Sequence, residues 1–193
     1  MLSAMRLILW LWWAWGLCWL VAALRSKATQ RREPLASRLA HVLPLALGAA
    51  LIAWPQARWP ALAWRFWPPS PAASWMGVAL VIAGLAFAIW ARVHLGGNWS
   101  GTVTVKQGHE LIRSGPYAWV RHPIYTGLIT AVFGTAVASG TMPAAVGLAI
   151  VTASLVRKSR VEEEFMRNTF PDEYPRYSAE VPALIPFARP RRS

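Results

Sequence analysis

Five apolar stretches dominate this chain of 193 residues, at about Met5 to Leu24, Ser37 to Trp54, Trp75 to Leu95, Ile124 to Ser139 and Met142 to Val156. The first and third have the length an α-helix needs to cross a hydrocarbon layer. The first follows an arginine and ends in small residues, as a signal peptide does. Its length and tryptophan content instead favour a retained helix. The last two are short and separated only by Gly140-Thr141, the pattern of a helical hairpin. They need tilt, local thinning or shelter from the other helices to cross. The expected fold is therefore an all-α integral membrane protein with about five transmembrane helices. The last two form the short hairpin, and a cytoplasmic C-terminal helix follows. Residues 1–193 read as a single membrane domain, with N-terminal helices over 5–56.

Composition agrees with that class. Hydrophobic residues make up 55% of the chain, and 20 Lys+Arg face only 8 Asp+Glu, a net charge of +12. The excess positive charge lies in connecting segments and at the C-terminus, where anionic lipid headgroups are the natural partner. No recognisable nucleic-acid module accompanies it, so no nucleic-acid partner is expected. Cys18 is the single cysteine, which excludes an intramolecular disulfide. Many of the 13 tryptophans suit the interface between lipid and water. Trp12, Trp13 and Trp15 lie deeper in the first stretch and are expected to pack against other helices.

The basic segments set an orientation. Arg25, Lys27, Arg31, Arg32 and Arg38 follow the first stretch, Lys106, Arg113 and Arg121 follow the third, and Arg157, Lys158 and Arg160 follow the fifth. The remaining loops hold Arg58 and Arg65 or no charge. Five crossings with the N-terminus outside put every strongly basic segment, and the C-terminus, in the cytoplasm. Residues 55 to 74 read as an interfacial loop rich in proline and tryptophan. Pro44 should kink the second helix or mark its first turns.

The polar residues concentrate in two places. His109 to Gly127 carries Gly115-Pro116, Tyr117, Arg121-His122-Pro123, Tyr125 and Gly127. Gly115-Pro116 forces a turn. His122 and Tyr125 share a helix face, and Gly127 permits close approach of another backbone. The second place is Glu162-Glu163-Glu164, on a helix leaving the membrane. Arg160–Glu164 and Glu163–Arg167 pairs on a solvated face account for Glu163 and Glu164. They account less well for Glu162, which shares a face with Lys158 and Met166. Ionisable groups beside membrane helices point to a functional site. The four histidines show no metal-ligand spacing, so no metal is expected. Gly96-Gly97-Asn98-Trp99 reads as a helix stop, and Arg92 as a snorkelling side chain.

The run from His109 through Gly127, the Glu162-Glu163-x-x-Met166 pattern, Phe170, Glu173-Tyr174, and Val181-Pro182 with Ile185-Pro186-Phe187 resemble the isoprenylcysteine carboxyl methyltransferase family. The resemblance covers roughly Trp90 to Phe187. It implies a membrane enzyme that uses S-adenosylmethionine, with a cofactor-binding methyltransferase core over 75–187. By the resemblance, His109, Glu110, Leu111 and Ile112 line the cofactor, Tyr117, His122, Pro123, Ile124 and Tyr125 complete its pocket, and Glu162 closes it. The family often has an arginine one turn before that glutamate, facing the substrate carboxylate. Here Lys158 stands in its place, flanked by Arg157 and Arg160, and these three are the candidates for orienting the substrate. The implied acceptor is a lipophilic or prenylated molecule entering from the bilayer.

Methyl transfer from a sulfonium needs alignment more than acid–base chemistry. A carboxylate acceptor is already ionised near neutral pH, so no catalytic base is required. Tyr117 or Tyr125 could favour the sulfonium charge through an aromatic face. Three other readings stay open from the residues: a phospholipid amine N-methyltransferase, a sterol-reductase-like membrane enzyme, and a non-catalytic membrane scaffold.

Overall fold

A computed structural model describes residues 3–23, 35–53, 64–96 and 111–188. His109, Glu110, Lys106, most of the first basic loop, residues 54–63, Gly97-Asn98-Trp99 and the terminal arginines lie outside the described residues. Those described form an all-helical structure: α1 (Ala4–Ala23), α2 (Leu35–Ile52), α3 (Pro71–Leu95), α4 (Pro123–Ser139), α5 (Met142–Thr169) and α6 (Glu173–Glu180), with a short 3-10 turn at Gly115–Ala118.

The apolar stretches become helices close to their expected limits, with two differences. Pro71 opens α3 instead of belonging to the preceding loop, and the Ser70 side chain accepts from the Ala73 N–H. Proline suits this position because the first helical N–H groups lack an intrahelical partner anyway. The second difference is α5, which does not stop near Val156. It continues without a break to Thr169, so the polar Arg157–Asn168 stretch is the end of a 28-residue helix. Pro44 lies well inside α2 rather than in its first turns.

Small residues set the packing. Gly84 and Gly127 meet where α3 crosses α4, and a Cβ on either would overlap the other's carbonyl oxygen. Such contacts let two backbones approach closely, the usual device for helices that gain little from apolar burial in lipid. α2 packs chiefly against α5, and α1 lays Ile8 against Val78, Val81 and Leu85 of α3. Trp12 donates to Thr135 Oγ1 at 3.1 Å, and Trp15 stacks on Trp19. Trp13 differs from expectation: it is 68% exposed.

Gly140, with φ 65°, turns the chain between α4 and α5. Residues 64–66 cover that turn, through Phe66 N–H to Gly140 O and Met142 N–H to Trp64 O, both at 2.9 Å. α1 and α3 are long and apolar enough to cross a membrane by length and composition, and Ala36–Ile52 and Pro123–Ser139 are shorter apolar helices. Exposed Leu9, Trp10, Leu17 and Leu20 on α1 suit a lipid environment. The Gly140 turn and the chain start lie at one end of the bundle. The ends of α1 and α3, the start of α4 and the polar part of α5 lie at the other.

Arg92 does not snorkel. It is buried, and its guanidinium donates to Ala22 O at 2.8 Å and Gly96 O at 2.9 Å, tying the ends of α1 and α3 together.

Candidate active site

The start of α4 is built against the polar half of α5. Pro123 at the first helical position, immediately after His122, fixes where α4 begins. Residues Pro182–Leu184 then hold that start from outside. The Arg121 and His122 N–H groups donate to Pro182 O at 2.9 Å and Ala183 O at 3.0 Å. Thr126 Oγ1 donates to Leu184 O at 2.6 Å. Gly115-Pro116 makes the turn expected of it. Tyr117 in that turn is buried, and its carbonyl accepts from Tyr177 Oη at 2.7 Å.

His122 lies between two carboxylates. Its Nε2 is 3.1 Å from Glu163 Oε1 and its Nδ1 is 3.5 Å from Glu162 Oε2. The His122 and Tyr125 rings stack at 5.6 Å with 6° between their planes. Tyr125 Oη donates to Glu162 Oε1. Lys158 Nζ lies 3.9 Å from the same oxygen and 5.4 Å from the centroid of the Tyr125 ring. The Glu162 side chain remains 24% exposed, against 11% for Glu163.

The electrostatics follow from these contacts. Burial works against a charged His122, but its hydrogen bonds to Glu162 and Glu163 and their negative charge raise its pKa above the ordinary value. A doubly protonated ring can donate from both nitrogens. Burial opposes ionisation of Glu162, yet the His122 hydrogen bond and the Lys158 charge hold it below the usual carboxylate range. Glu163 is held to about 2, against burial, by His122 and then by Arg121.

Of the residues singled out from sequence, His122, Tyr125, Glu162 and Lys158 are brought into one cluster. Tyr117, Ile124 and Ile112 sit beside it in an apolar group with Ala91, and Pro123 is fully buried. Leu111 is half-buried. The three basic candidates separate. Lys158 meets Glu162, whereas Arg157 reaches Ser37 O at 3.5 Å on α2, and Arg160 is exposed.

The solvated-face reading of Glu163 is overturned. Glu163 is buried and receives Arg121 Nη2 at 2.6 Å, with Arg167 at 3.5 Å as a secondary partner. Arg121, which alone resembles a lipid anchor, has only 10% of its side chain exposed. Sequence reasoning missed this pair because the partners lie 42 residues apart. The available signal was the double glutamate itself, since successive helical residues point about 100° apart and cannot both serve one face. Among the described residues no group of His, Cys, Asp and Glu could hold a metal ion.

Comparison with known proteins bears on this cluster directly. The model of the isoprenylcysteine carboxyl methyltransferase (ICMT) family matches residues 77–168, which contain the start of α4 and both glutamates. Over these residues the chain is similar to that family. The protein-S-isoprenylcysteine O-methyltransferase of Homo sapiens is 31% identical over 130 residues, covering 64% of this chain and 46% of that protein. An uncharacterized protein of Bacillus subtilis is 38% identical over 60 residues, covering 31% of this chain and 36% of its own. The solved structure of a eukaryotic intramembrane Ras methyltransferase of the ICMT family aligns with a TM-score of 0.56 at 24% identity. The alignment covers 76% of this chain and 52% of that one. That likeness supports the ICMT fold. The chain spans about half the length of the curated ICMT relatives first matched.

Proposed function

We propose that this protein is a membrane methyltransferase that transfers a methyl group from S-adenosylmethionine to the carboxylate of a lipophilic, prenylated acceptor. The observation that carries the reading is the partly exposed Glu162 side chain, whose carboxylate is flanked by the stacked His122 and Tyr125 rings and by Lys158. This donor set fits the cofactor. A carboxylate can receive an ammonium or ribose hydroxyls, and an aromatic face favours a sulfonium cation. When bound, S-adenosylmethionine supplies an electrophilic methyl group.

Leu111, Ile112, Tyr117, His122, Pro123, Ile124, Tyr125 and Glu162 are the residues proposed to hold it, with His109 and Glu110 completing the set from the adjoining segment. Tyr125 and His122 orient Glu162, and the apolar group around Ile124 and Ala91 limits water on that side. Lys158 is proposed to attract the acceptor carboxylate, because it alone of the three basic candidates faces the cluster. An ionised carboxylate needs no base, so the residues serve to align and desolvate rather than to move protons.

The proposed setting is a single multi-pass domain with five crossings, N-terminus outside and C-terminus cytoplasmic, its core spanning 75–187. Supporting it, the charged cluster lies at one end of the bundle and the Gly140 turn at the other. The donor then enters from the cytoplasmic side and the acceptor from the bilayer.

Calorimetric binding of S-adenosylmethionine to detergent-purified protein, wild type beside Glu162→Ala, tests the reading. Saturable binding lost in the variant is the expected result. A well-folded wild type that binds no S-adenosylmethionine overturns it.

A further inference from the structure

Glu163 is the single buried carboxylate among the described residues, and its partners assign it a different task from Glu162. Three donors converge on its Oε1: Arg121 Nε at 3.0 Å, Arg121 Nη2 at 2.6 Å and His122 Nε2 at 3.1 Å. The remaining Arg121 nitrogen, Nη1, turns outward and donates to Ser178 O at 3.0 Å and to Val181 O. Those carbonyls belong to the end of α6 and the residue that caps it. The next three carbonyls, of Pro182, Ala183 and Leu184, all accept from the start of α4. Residues 178–184 are therefore fastened to residues 121–126, and Arg121 links them to Glu163 of α5.

We infer that Glu163 is a positioning residue: through Arg121 it clasps residues 178–184 onto the start of α4, and through His122 it fixes the orientation and charge of the imidazole that faces Glu162. The inference rests on the reading of Glu162 and Tyr125 as methyl-donor contacts. It adds that their geometry depends on a buried charge that itself touches no ligand. Burying an arginine without its carboxylate is strongly unfavourable, so the Arg121 part of the clasp depends on an ionised Glu163. His122 is likewise caught between two carboxylates, one tied to Arg121 and the other to Tyr125 and Lys158.

The charged and titratable groups around His122 are Glu162, Glu163 and Lys158 from α5, Arg121 from its own segment and Tyr125 from α4. Tyr117 from the 3-10 turn, Tyr174 and Tyr177 from α6 and Arg167 from α5 act on Glu162, Glu163 or Arg121 rather than on His122 itself. Among them Glu162 and Glu163 supply the negative charge that favours the imidazolium, which agrees with the upward shift of His122.

The test uses the full chain in lipid nanodiscs. Glu163→Gln keeps the shape and removes the charge. Histidine nitrogen resonances, with His122 assigned through His122→Gln, and exchange of the Arg121 and His122 amides are followed without ligand. S-adenosylmethionine affinity is measured alongside. In Glu163→Gln the His122 titration should move to lower pH, the two amides should exchange faster, and the Kd for S-adenosylmethionine should rise about tenfold. KM for the donor should rise by more than kcat falls.

Where Glu163→Gln does not fold, the double variant Arg121→Gln/Glu163→Gln leaves neither charge buried alone and should show the same changes. An unshifted His122 titration with unchanged amide protection overturns the inference. So does unaltered affinity in a variant whose wild type binds. A wild type that binds no S-adenosylmethionine, with His122 still responding to Glu163→Gln, overturns the proposed function and leaves the positioning role standing.

Discussion

The Tyr125 hydroxyl donates to Glu162 Oε1 while its ring lies parallel to His122, so one side chain both orients the carboxylate and walls the space beside it. Tyr125→Phe separates these tasks, because it keeps the ring and removes the donor. A hydrogen bond to a charged group is worth about 1.5–3 kcal/mol. S-adenosylmethionine should therefore bind Tyr125→Phe about tenfold more weakly, whereas Tyr125→Leu should lose more by removing the stacked ring as well. Calorimetric titration of both variants checks this. Equal affinity of Tyr125→Phe and wild type would remove Tyr125 from the contacts that matter.

The buried charges predict how stability follows pH. Glu163 is held to about 2 from an ordinary 4.5, so its contribution is complete above 4.5 and lost as pH falls toward 2. His122 is raised above its ordinary 6.5, so its contribution is complete below 6.5 and lost as pH rises through the raised value. The thermal midpoint of the detergent-solubilised protein should form a plateau between these two ordinary values. It should fall on either side of the plateau, and His122→Gln should flatten the alkaline limb. A wild-type midpoint still rising through pH 7 and 8 would contradict the arrangement.

The helices were legible because an apolar run of about 20 residues has few other uses. Their contacts were legible only where the chemistry was local. Tyr125 and His122 could be placed together from a three-residue spacing. Glu163 could not be matched to Arg121, since periodicity names the face of a helix but not what returns to cover it. The nearby Arg167 offered a sufficient local partner and concealed the distant one. Arg92 escaped for the same reason: its acceptors are helix-end carbonyls, one of them 70 residues away on α1. Pro71 was misplaced because five prolines between residues 55 and 71 suggest a loop throughout. The last of them instead occupies the first turn of α3, where proline is favoured.

The crossing of α3 and α4 depends on two glycines rather than on side-chain interlock. Gly84→Ala and Gly127→Ala each place a methyl group where the opposite backbone already sits. Overpacking of this kind costs about 1–3 kcal/mol, and neither backbone can yield without moving its helix. Gly16 on α1 is the matched control, because a Cβ there meets nothing within 4 Å. Thermal unfolding in detergent should show both crossing variants destabilised and Gly16→Ala unchanged or slightly more stable, as alanine favours a helix. Tolerance of alanine at Gly84 and Gly127 would mean that the helices lie farther apart than described.

Lys158 should govern the acceptor rather than the donor. It stands 3.9 Å from Glu162 and over the Tyr125 ring, whereas Arg157 reaches toward Ser37 and Arg160 is exposed. A lysine is a point charge that attracts a carboxylate without the paired hydrogen bonds of a guanidinium. Lys158→Ala should therefore raise KM for a prenylated carboxylate acceptor about tenfold, while Lys158→Arg retains or improves it. Arg157→Ala and Arg160→Ala, which remove exposed charges, should stay within about twofold of wild type. Initial rates with varied acceptor at saturating donor separate these outcomes. A larger effect at Arg157 or Arg160 than at Lys158 would move the acceptor to the outer face of α5 and away from Glu162.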